Sequence, residues 1–355
     1  MYIDFANLQL QYQKYKTEID EKIHSILKKS NYILGEEVQE LEKNLENFTG
    51  AKYSIACSSG TDALLLAMLA MDIQPGDEII TTPFTWVSNA ETIALLKAKP
   101  VFVDIEPDTF NIDADLIEAA ITKNTKAIMP VSLFGQPADI DHIQIIANKH
   151  NLKVIIDGAQ SFGSTYKNKT DSSLGDISIT SFFPSKPLGC YGDGGALFTN
   201  DDYYAEKLKM LRVHGQNKRN YHKYIGIGGR MDTIQAAILL VKLKYFPQEL
   251  KDRQIVADHY TSGLSDILQT PIIKPNKSSV WAQYTVRVNN RDSIQNELKK
   301  KNIPTSIFYP VSLHLQECFK YLNYKKGDFP TSEKACSEVI SLPMNSFLTY
   351  NQINY

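Results

Sequence analysis

The sequence predicts an α/β fold, with a mostly parallel central sheet covered by helices and a smaller C-terminal α+β domain behind it. Three observations predict it. Short β-rich runs alternate with helix-patterned ones from about residue 50 to 200. Those runs are almost continuously apolar, as strands buried on both faces require. After about residue 200 the alternation stops and long helical patterns take over.

The expected strands are DEIIT (77–81), PVFVDI (100–105), KAIMPVS (126–132), KVIID (153–157), ISITSF (177–182) and GALFT (195–199). Helical stretches SNAETIALLKA, DADLIEAAI and DIDHIQIIANKH separate the first four. Right-handed crossovers of this kind put the strand C-termini on one edge of the sheet, where ligands bind in open α/β folds. Ahead of this region, residues 1–50 read as a helical arm. Its Glu37, Glu40 and Glu42 suggest a solvated face against the apolar stripe of Val38 and Leu41.

Two helical patterns follow the sheet region, YYAEKLKMLRVHG and MDTIQAAILLVKLKYFPQEL. Pro247 interrupts the second and suggests a hinge. The expected division is therefore a large domain with its arm over 1–247 and a small domain over 248–355. The small domain carries helix-patterned DRQIVADHYTSGL and DSIQNELKKKN, with strand-like YTVRV between them. No internal repeat or low-complexity segment is present, which argues against a solenoid.

Composition narrows the function classes. The chain has 355 residues, 43% of them hydrophobic and 22% charged, with a formal net charge of −2. With no long basic run, nothing points to nucleic acid. No apolar run reaches the roughly 20 residues needed to span a bilayer, and the N-terminus lacks the layout of a secretion signal. Cys57, Cys190, Cys318 and Cys336 are far apart and form no CxxC pair. Neither a disulfide framework nor a metal site is expected, and a reducing cytoplasm is.

Four segments carry candidate chemistry. In CSSGTDALLLAML (57–69), Ser58, Ser59, Gly60 and Thr61 precede a strong helix former run. A helix start of this kind offers unpaired N–H groups, a positive dipole end and hydroxyls to a phosphate; an ordinary N-cap without a ligand has the same residues. VIIDGAQSFG (154–163) ends a buried-type strand on Asp157, which can hold the proton of a heteroaromatic nitrogen or simply cap the next turn. In TSFFPSKPLGCYGDGG (180–195), Lys186 lies between an apolar strand and a glycine-rich loop. Most lysines solvate a surface, but a partly desolvated one loses its proton more readily and attacks carbonyls. TTPFTWVSNAETI (81–93) puts Trp86 just after a strand, either as a core residue or as a flat surface for a cofactor ring.

Each segment is ambiguous alone, but their order is informative. A phosphate-type helix start, an aromatic, an acid at a strand end and a lysine 29 residues after that acid are the parts a pyridoxal phosphate site needs. No GxGxxG follows a strand, which disfavours a dinucleotide oxidoreductase, and no GxxxxGK[ST] indicates a nucleoside triphosphate.

With these residues in hand, the chain resembles the DegT/DnrJ/EryC1/StrS sugar aminotransferases over essentially its whole length. The segments that carry the resemblance are YILGEEVQELE, SSGTDAL, TPFTWVSNAETI, KPVFVDI, IIDGAQSFG, SFFPSKPLGCYGDGG, RMDTIQAA and SLPM. Within the family, SFFPSKPLGCYGDGG and HGQNKR are most similar to enzymes that aminate C3 of UDP-linked 3-keto sugars. The resemblance implies a fold-type I transferase, a homodimer with active sites at the subunit interface, pyridoxal 5′-phosphate as cofactor and glutamate as amine donor. It makes Lys186 the lysine that bonds to the cofactor and Asp157 the partner of its pyridine nitrogen. It puts Gln160 near the ring hydroxyl, Trp86 on the ring face, and Ser59, Gly60, Thr61 and Ser181 at the phosphate. It also implies that Arg230 reaches substrate from the neighbouring subunit and that Phe308 and Tyr309 lie at the substrate.

Two departures from the family pattern stand out. Gly228 occupies a position where the family commonly has an asparagine that contacts phosphate across the dimer. Phe308 replaces a common histidine, and its ring cannot hydrogen-bond, which suits a sugar less polar at C6. The expected alternative substrate is accordingly a dTDP-linked 3- or 4-keto-6-deoxy sugar. Sugar dehydratases of this fold resemble the family but carry histidine at the lysine position, so Lys186 argues against that activity. A non-catalytic regulator on the same fold is the remaining alternative.

Overall fold

The computed structural model describes residues 2–355. Its centre is a seven-stranded sheet built from β1 (Tyr53–Cys57), β2 (Glu78–Thr81), β3 (Lys99–Phe102), β4 (Thr125–Ile128), β5 (Lys153–Asp157), β8 (Ile177–Ser181) and β9 (Gly195–Thr199). The order is β1-β9-β8-β5-β4-β2-β3. Only β9 runs antiparallel to its neighbours, pairing Ser181 with Gly195 on one side and Cys57 with Gly195 on the other. The strand β6 (Thr165–Tyr166) with β7 (Lys169–Thr170), and β10 (Gln216–Lys218) with β11 (Tyr221–His222), form two small hairpins outside this sheet.

Strand alternation fills a core on each face. Ile79, Ile155 and Leu197 point to one side, against helices α3 (Gly60–Ala70) and α6 (Asp202–Leu211). Their sequence neighbours Ile80, Ile156 and Phe198 point to the other, as the two-residue period of a strand requires. There Ile80 and Ile156 meet α5 (Ile140–His150), and Phe198 meets α2 (Glu36–Thr49) and the first half of α7 (Thr233–Leu264). The helix α4 (Ser88–Leu95) lies between β2 and β3 in sequence, and α1 (Leu8–Lys29) lies along α7. Beyond α7, β12 (Tyr284–Arg287) pairs antiparallel with β13 (Val339–Leu342), accompanied by α8 (Arg291–Lys300), α9 (Pro330–Glu338) and α10 (Tyr350–Asn354).

Several expectations need correction. The six strands foreseen are present within a residue or a few, but β1 was not among them; YSIAC is only five residues long and begins on polar residues. DADLIEAAI does not form a helix but two 3₁₀ turns, Ala114–Leu116 and Glu118–Ala120. Only Ala114 and Ile117 of this stretch are buried, so little apolar burial is available to favour a longer helix.

Pro247 does not interrupt its helix, and no hinge breaks the backbone there: α7 is continuous from Thr233 to Leu264. An interior proline costs roughly 3 kcal/mol, and contacts on both sides of it offset that cost. Phe246 is buried in the large core. Glu249 accepts from Gln11 and from the Tyr15 hydroxyl at 2.9 Å, and Arg253 donates to the Trp281 carbonyl at 2.9 Å. The first half of α7 thus belongs to the large core, while Val256, Ala257 and Tyr260 pack with Tyr284 and Ile340 of the small lobe.

The glutamate face of the arm is also less solvated than expected. Glu37 is buried, and Glu42 accepts from the Ala56 amide at 2.9 Å and pairs with Arg212. Glu40 is exposed as foreseen. Cys57, Cys190 and Cys336 are buried, whereas Cys318 is exposed. Among the described residues, no helix is long and apolar enough to cross a membrane.

Candidate active site

The sheet topology gathers the candidate residues. The parallel strands β1, β2, β5 and β8 end on one edge, and β9, running the other way, begins there. The segment 182–194, which carries Lys186, therefore leaves and re-enters the sheet at the edge where Asp157 ends β5. All site residues singled out in the sequence except Ser58 and Arg230 line one cavity of about 380 Å³ at this edge, a volume suited to a small molecule.

At one end of the cavity lies the start of α3. Ser59 is its N-cap and accepts from the Asp62 amide at 3.0 Å. Thr61 Oγ1 and Ser88 Oγ are 2.8 Å apart, and Ser181 lines the same end. Gly60 is required by packing: a Cβ there would lie 2.7 Å from the Ser181 Cβ. Without it, the first turn of α3 approaches the end of β8, and backbone N–H groups sit among the hydroxyls of Ser59, Thr61, Ser88 and Ser181. Such a cradle suits a phosphate.

Asp157 is 5% exposed. Its carboxylate accepts from the Ala159 amide at 2.9 Å and from Asn89 Nδ2 at 2.9 Å. Burial pushes its pKa up, while these two donors and the Lys186 charge pull it back down. Lys186 is partly buried in the cavity wall. Desolvation lowers its pKa to about 8, against the opposing attraction of Asp157. An amine so placed has an appreciable neutral fraction near neutral pH.

Trp86 is not in the core. It is 59% exposed and faces the cavity, with its ring 6.2 Å from that of Tyr309. The other tryptophan, Trp281, is buried in the small-lobe core. Gln160 is buried, accepts from the Phe134 amide at 2.8 Å and donates to the Tyr309 hydroxyl at 3.1 Å. Phe308 lies beside Tyr309 in the same wall.

Arg230 is outside this cavity. It follows Gly229, whose carbonyl accepts from the Ser58 amide at 3.0 Å, so it lies on the flank of the α3 start. At Gly228, a Cβ would sit 3.1 Å from the His214 ring. The imidazole of His214 thus occupies space beside the position where the departure from the family pattern falls.

Sequence reading missed several cavity residues. Thr85, Ser88 and Asn89 lie within a segment already quoted for Trp86, and their i, i+3 and i+4 spacing around a helix start was the available signal. Gln283 and Asp193 also line the cavity. Gln283 gave no signal, because it immediately precedes β12, far in sequence from Lys186 and Asp157 and outside any recognisable motif.

Residues 13–355 match the DegT/DnrJ/EryC1/StrS aminotransferase family. The chain belongs to this family. The aminotransferase is 50% identical to the UDP-2-acetamido-2-deoxy-3-oxo-D-glucuronate aminotransferase of Pseudomonas aeruginosa, over 98% of this chain and 96% of that one. It is 39% identical to the dTDP-3-amino-3,6-dideoxy-alpha-D-galactopyranose transaminase of Aneurinibacillus thermoaerophilus, over 99% and 96%. Among solved structures, NtdA of Bacillus subtilis with bound cofactor PMP superposes with a TM-score of 0.93 at 31% identity, covering 99% of this chain and 83% of that one. The aminotransferase thus has the fold-type I architecture of its family, with a sheet that is mostly parallel.

Proposed function

We propose that this aminotransferase moves an amino group from glutamate to a nucleotide-linked keto-sugar, most specifically C3 of a UDP-linked 3-keto sugar, using pyridoxal 5′-phosphate. The observation that carries the reading is the joint lining of one cavity by Lys186, Asp157, Trp86 and the hydroxyl-rich start of α3. Ser59, Gly60, Thr61 and Ser181 would hold the phosphate, Trp86 would cover the ring, and Gln160 would lie near its hydroxyl. When bound, the cofactor supplies an aldehyde that condenses with amines and a ring that delocalises the electron pair left by proton removal.

The protein supplies proton handling and orientation. Asp157, as a buried anion, would hold a proton on the ring nitrogen. Lys186, with its pKa lowered to about 8, would take the proton from the α-carbon of glutamate and return one on the other side of the transfer.

The 50% identity to a UDP-3-keto-sugar aminotransferase supports UDP and C3. Phe308 favours a second reading, a dTDP-linked 3- or 4-keto-6-deoxy sugar, because its ring offers no hydrogen bond to a polar C6. A panel of nucleotide keto-sugars, each incubated with glutamate and followed by mass spectrometry, tests both. Amination of the UDP-3-keto sugars first supports the main reading. Strong preference for 3-keto-glucuronate removes the argument from Phe308, and no amination of any member overturns the function.

The reading includes a homodimer with shared active sites, in which Arg230 reaches the neighbouring subunit's substrate. Exposed Tyr32, Ile33 and Ile225 support it, as does the placement of Arg230 away from its own cavity. It also includes a cytoplasmic enzyme of surface-polysaccharide sugar biosynthesis, such as that of lipopolysaccharide. Light scattering of the purified protein checks the dimer, and a monomer with full activity would contradict it.

A further inference from the structure

We propose that Asn89 is a positioning residue that fixes the direction and the charge of the Asp157 carboxylate, with Thr85 fixing Asn89 in turn. The proposal rests on the reading of Asp157 as the partner of the cofactor's ring nitrogen.

Three elements meet at this point. Asp157 ends β5, Asn89 lies in the first turn of α4, and Thr85 lies in the segment between β2 and α4. Asn89 is 1% exposed, so its amide is not there to bind water. An asparagine amide presents either its oxygen or its nitrogen, and only the nitrogen can serve a carboxylate. The acceptor-only carboxylate decides between them: Nδ2 donates to Asp157 Oδ2 at 2.9 Å, and the Thr85 hydroxyl donates to the remaining Oδ1 at 3.2 Å and holds the amide in that orientation. The remaining side of Nδ2 lies 3.5 Å from Met129 Sδ, a weak acceptor that does not compete with the carboxylate.

The consequence for Asp157 is both geometric and electrostatic. One oxygen is held by the Ala159 amide and the other by Asn89, so the carboxylate plane cannot rotate without losing a bond. Both partners are donors, and a proton on the carboxylate would confront one of them. The ionisable groups that face Asp157 are Lys186 across the cavity and, more distantly, the Tyr309 hydroxyl. Lys186 is the group whose proton must move during the reaction, so its charge is not constant. The Thr85–Asn89 pair is neutral and fixed, and it favours the ionised carboxylate whatever the charge of Lys186.

A double-mutant cycle tests this, using the cofactor-loaded protein with Asn89→Ala, Asp157→Asn and both together. Four quantities are measured: kcat, KM for glutamate, the pH midpoint of the bound cofactor's absorbance, and the dissociation constant of the cofactor from the stripped protein. Asn89→Ala is expected to lower kcat about tenfold with KM for glutamate little changed, and to shift the spectral midpoint. In the Asp157→Asn background it is expected to add almost nothing, because the group it acts through is gone. Equal losses in both backgrounds, or an unmoved spectral midpoint, would overturn the proposal. If Asn89→Ala does not fold, Thr85→Val replaces it, with a smaller shift in the same direction expected and no shift overturning the idea. If Asp157→Asn itself leaves kcat and spectrum unchanged, the underlying reading of Asp157 fails instead.

Discussion

Gln160 donates its amide to the Tyr309 hydroxyl at 3.1 Å, joining the loop after β5 to the segment between α8 and α9. The same Gln160 accepts from the Phe134 amide, so its side chain is committed at both ends. Two parts of the chain separated by 149 residues thereby share one wall of the cavity.

Tyr309→Phe removes that bond while keeping the ring beside Trp86. A neutral hydrogen bond contributes about 0.5–1.5 kcal/mol net. Cofactor affinity is expected to weaken roughly two- to twelvefold, as read by titrating stripped protein with pyridoxal phosphate. The stripped protein, which already makes this bond, should lose a comparable amount of stability in urea unfolding.

Lys186→Ala is expected to abolish transamination and leave the fold intact. Borohydride treatment followed by peptide mapping should label Lys186 in the parent protein and nothing in the variant. Label on another lysine, or activity surviving in the variant, would contradict the assignment of Lys186.

Gly60→Ala places a methyl group 2.7 Å from the Ser181 Cβ, closer than such atoms approach. The first turn of α3 must then move off the end of β8. The expected cost is about 1–3 kcal/mol of stability, with phosphate-dependent cofactor binding falling about tenfold or more. Comparing pyridoxal phosphate with pyridoxal separates the two effects, since only the former should lose affinity strongly.

Asp171 is buried without a cationic partner, and burial lifts its pKa to about 7, although Ser161 donates to it. The folded chain therefore holds a proton that the unfolded chain, titrating near 4, has already released. Between these values the folded state binds more protons, so this group's contribution to stability is present below about pH 4 and is lost as pH rises through about 7. The slope is about 1.4 kcal/mol per pH unit at most. Urea unfolding of the parent and Asp171→Asn at pH 5, 6 and 7 checks it, the variant being expected to lack this component of the slope.

The sheet was legible because its strands are apolar on both faces and its crossover helices carry clear periodicity, as DIDHIQIIANKH does. Misreadings arose where tertiary contacts outweigh local preference. Pro247 suggests a break, yet Gln11 and Tyr15 from α1 hold Glu249 just beyond it, and α7 continues. DADLIEAAI has a helical pattern but too little buried surface to sustain a helix. In the site, Lys186 and Asp157 stood out because each is a charged residue at the end of an apolar run. Asn89 did not, because its significance lies in Asp157 receiving its amide and Thr85 holding that amide in place, a relation that exists only after β2, α4 and β5 come together. Gln283 carried no local mark at all.

The reversed strand β9 has a consequence for how the reactive amine is put in place. Most neighbours in the sheet are joined by long crossovers, but Ser181 and Gly195 pair directly and close a loop of only 13 intervening residues. Closing a short loop costs less chain entropy than closing a long one. Lys186 is thus carried on a local excursion whose two feet are stitched together, while Lys242 and Gln235 of α7 hold its far side at Gly189 and Tyr191.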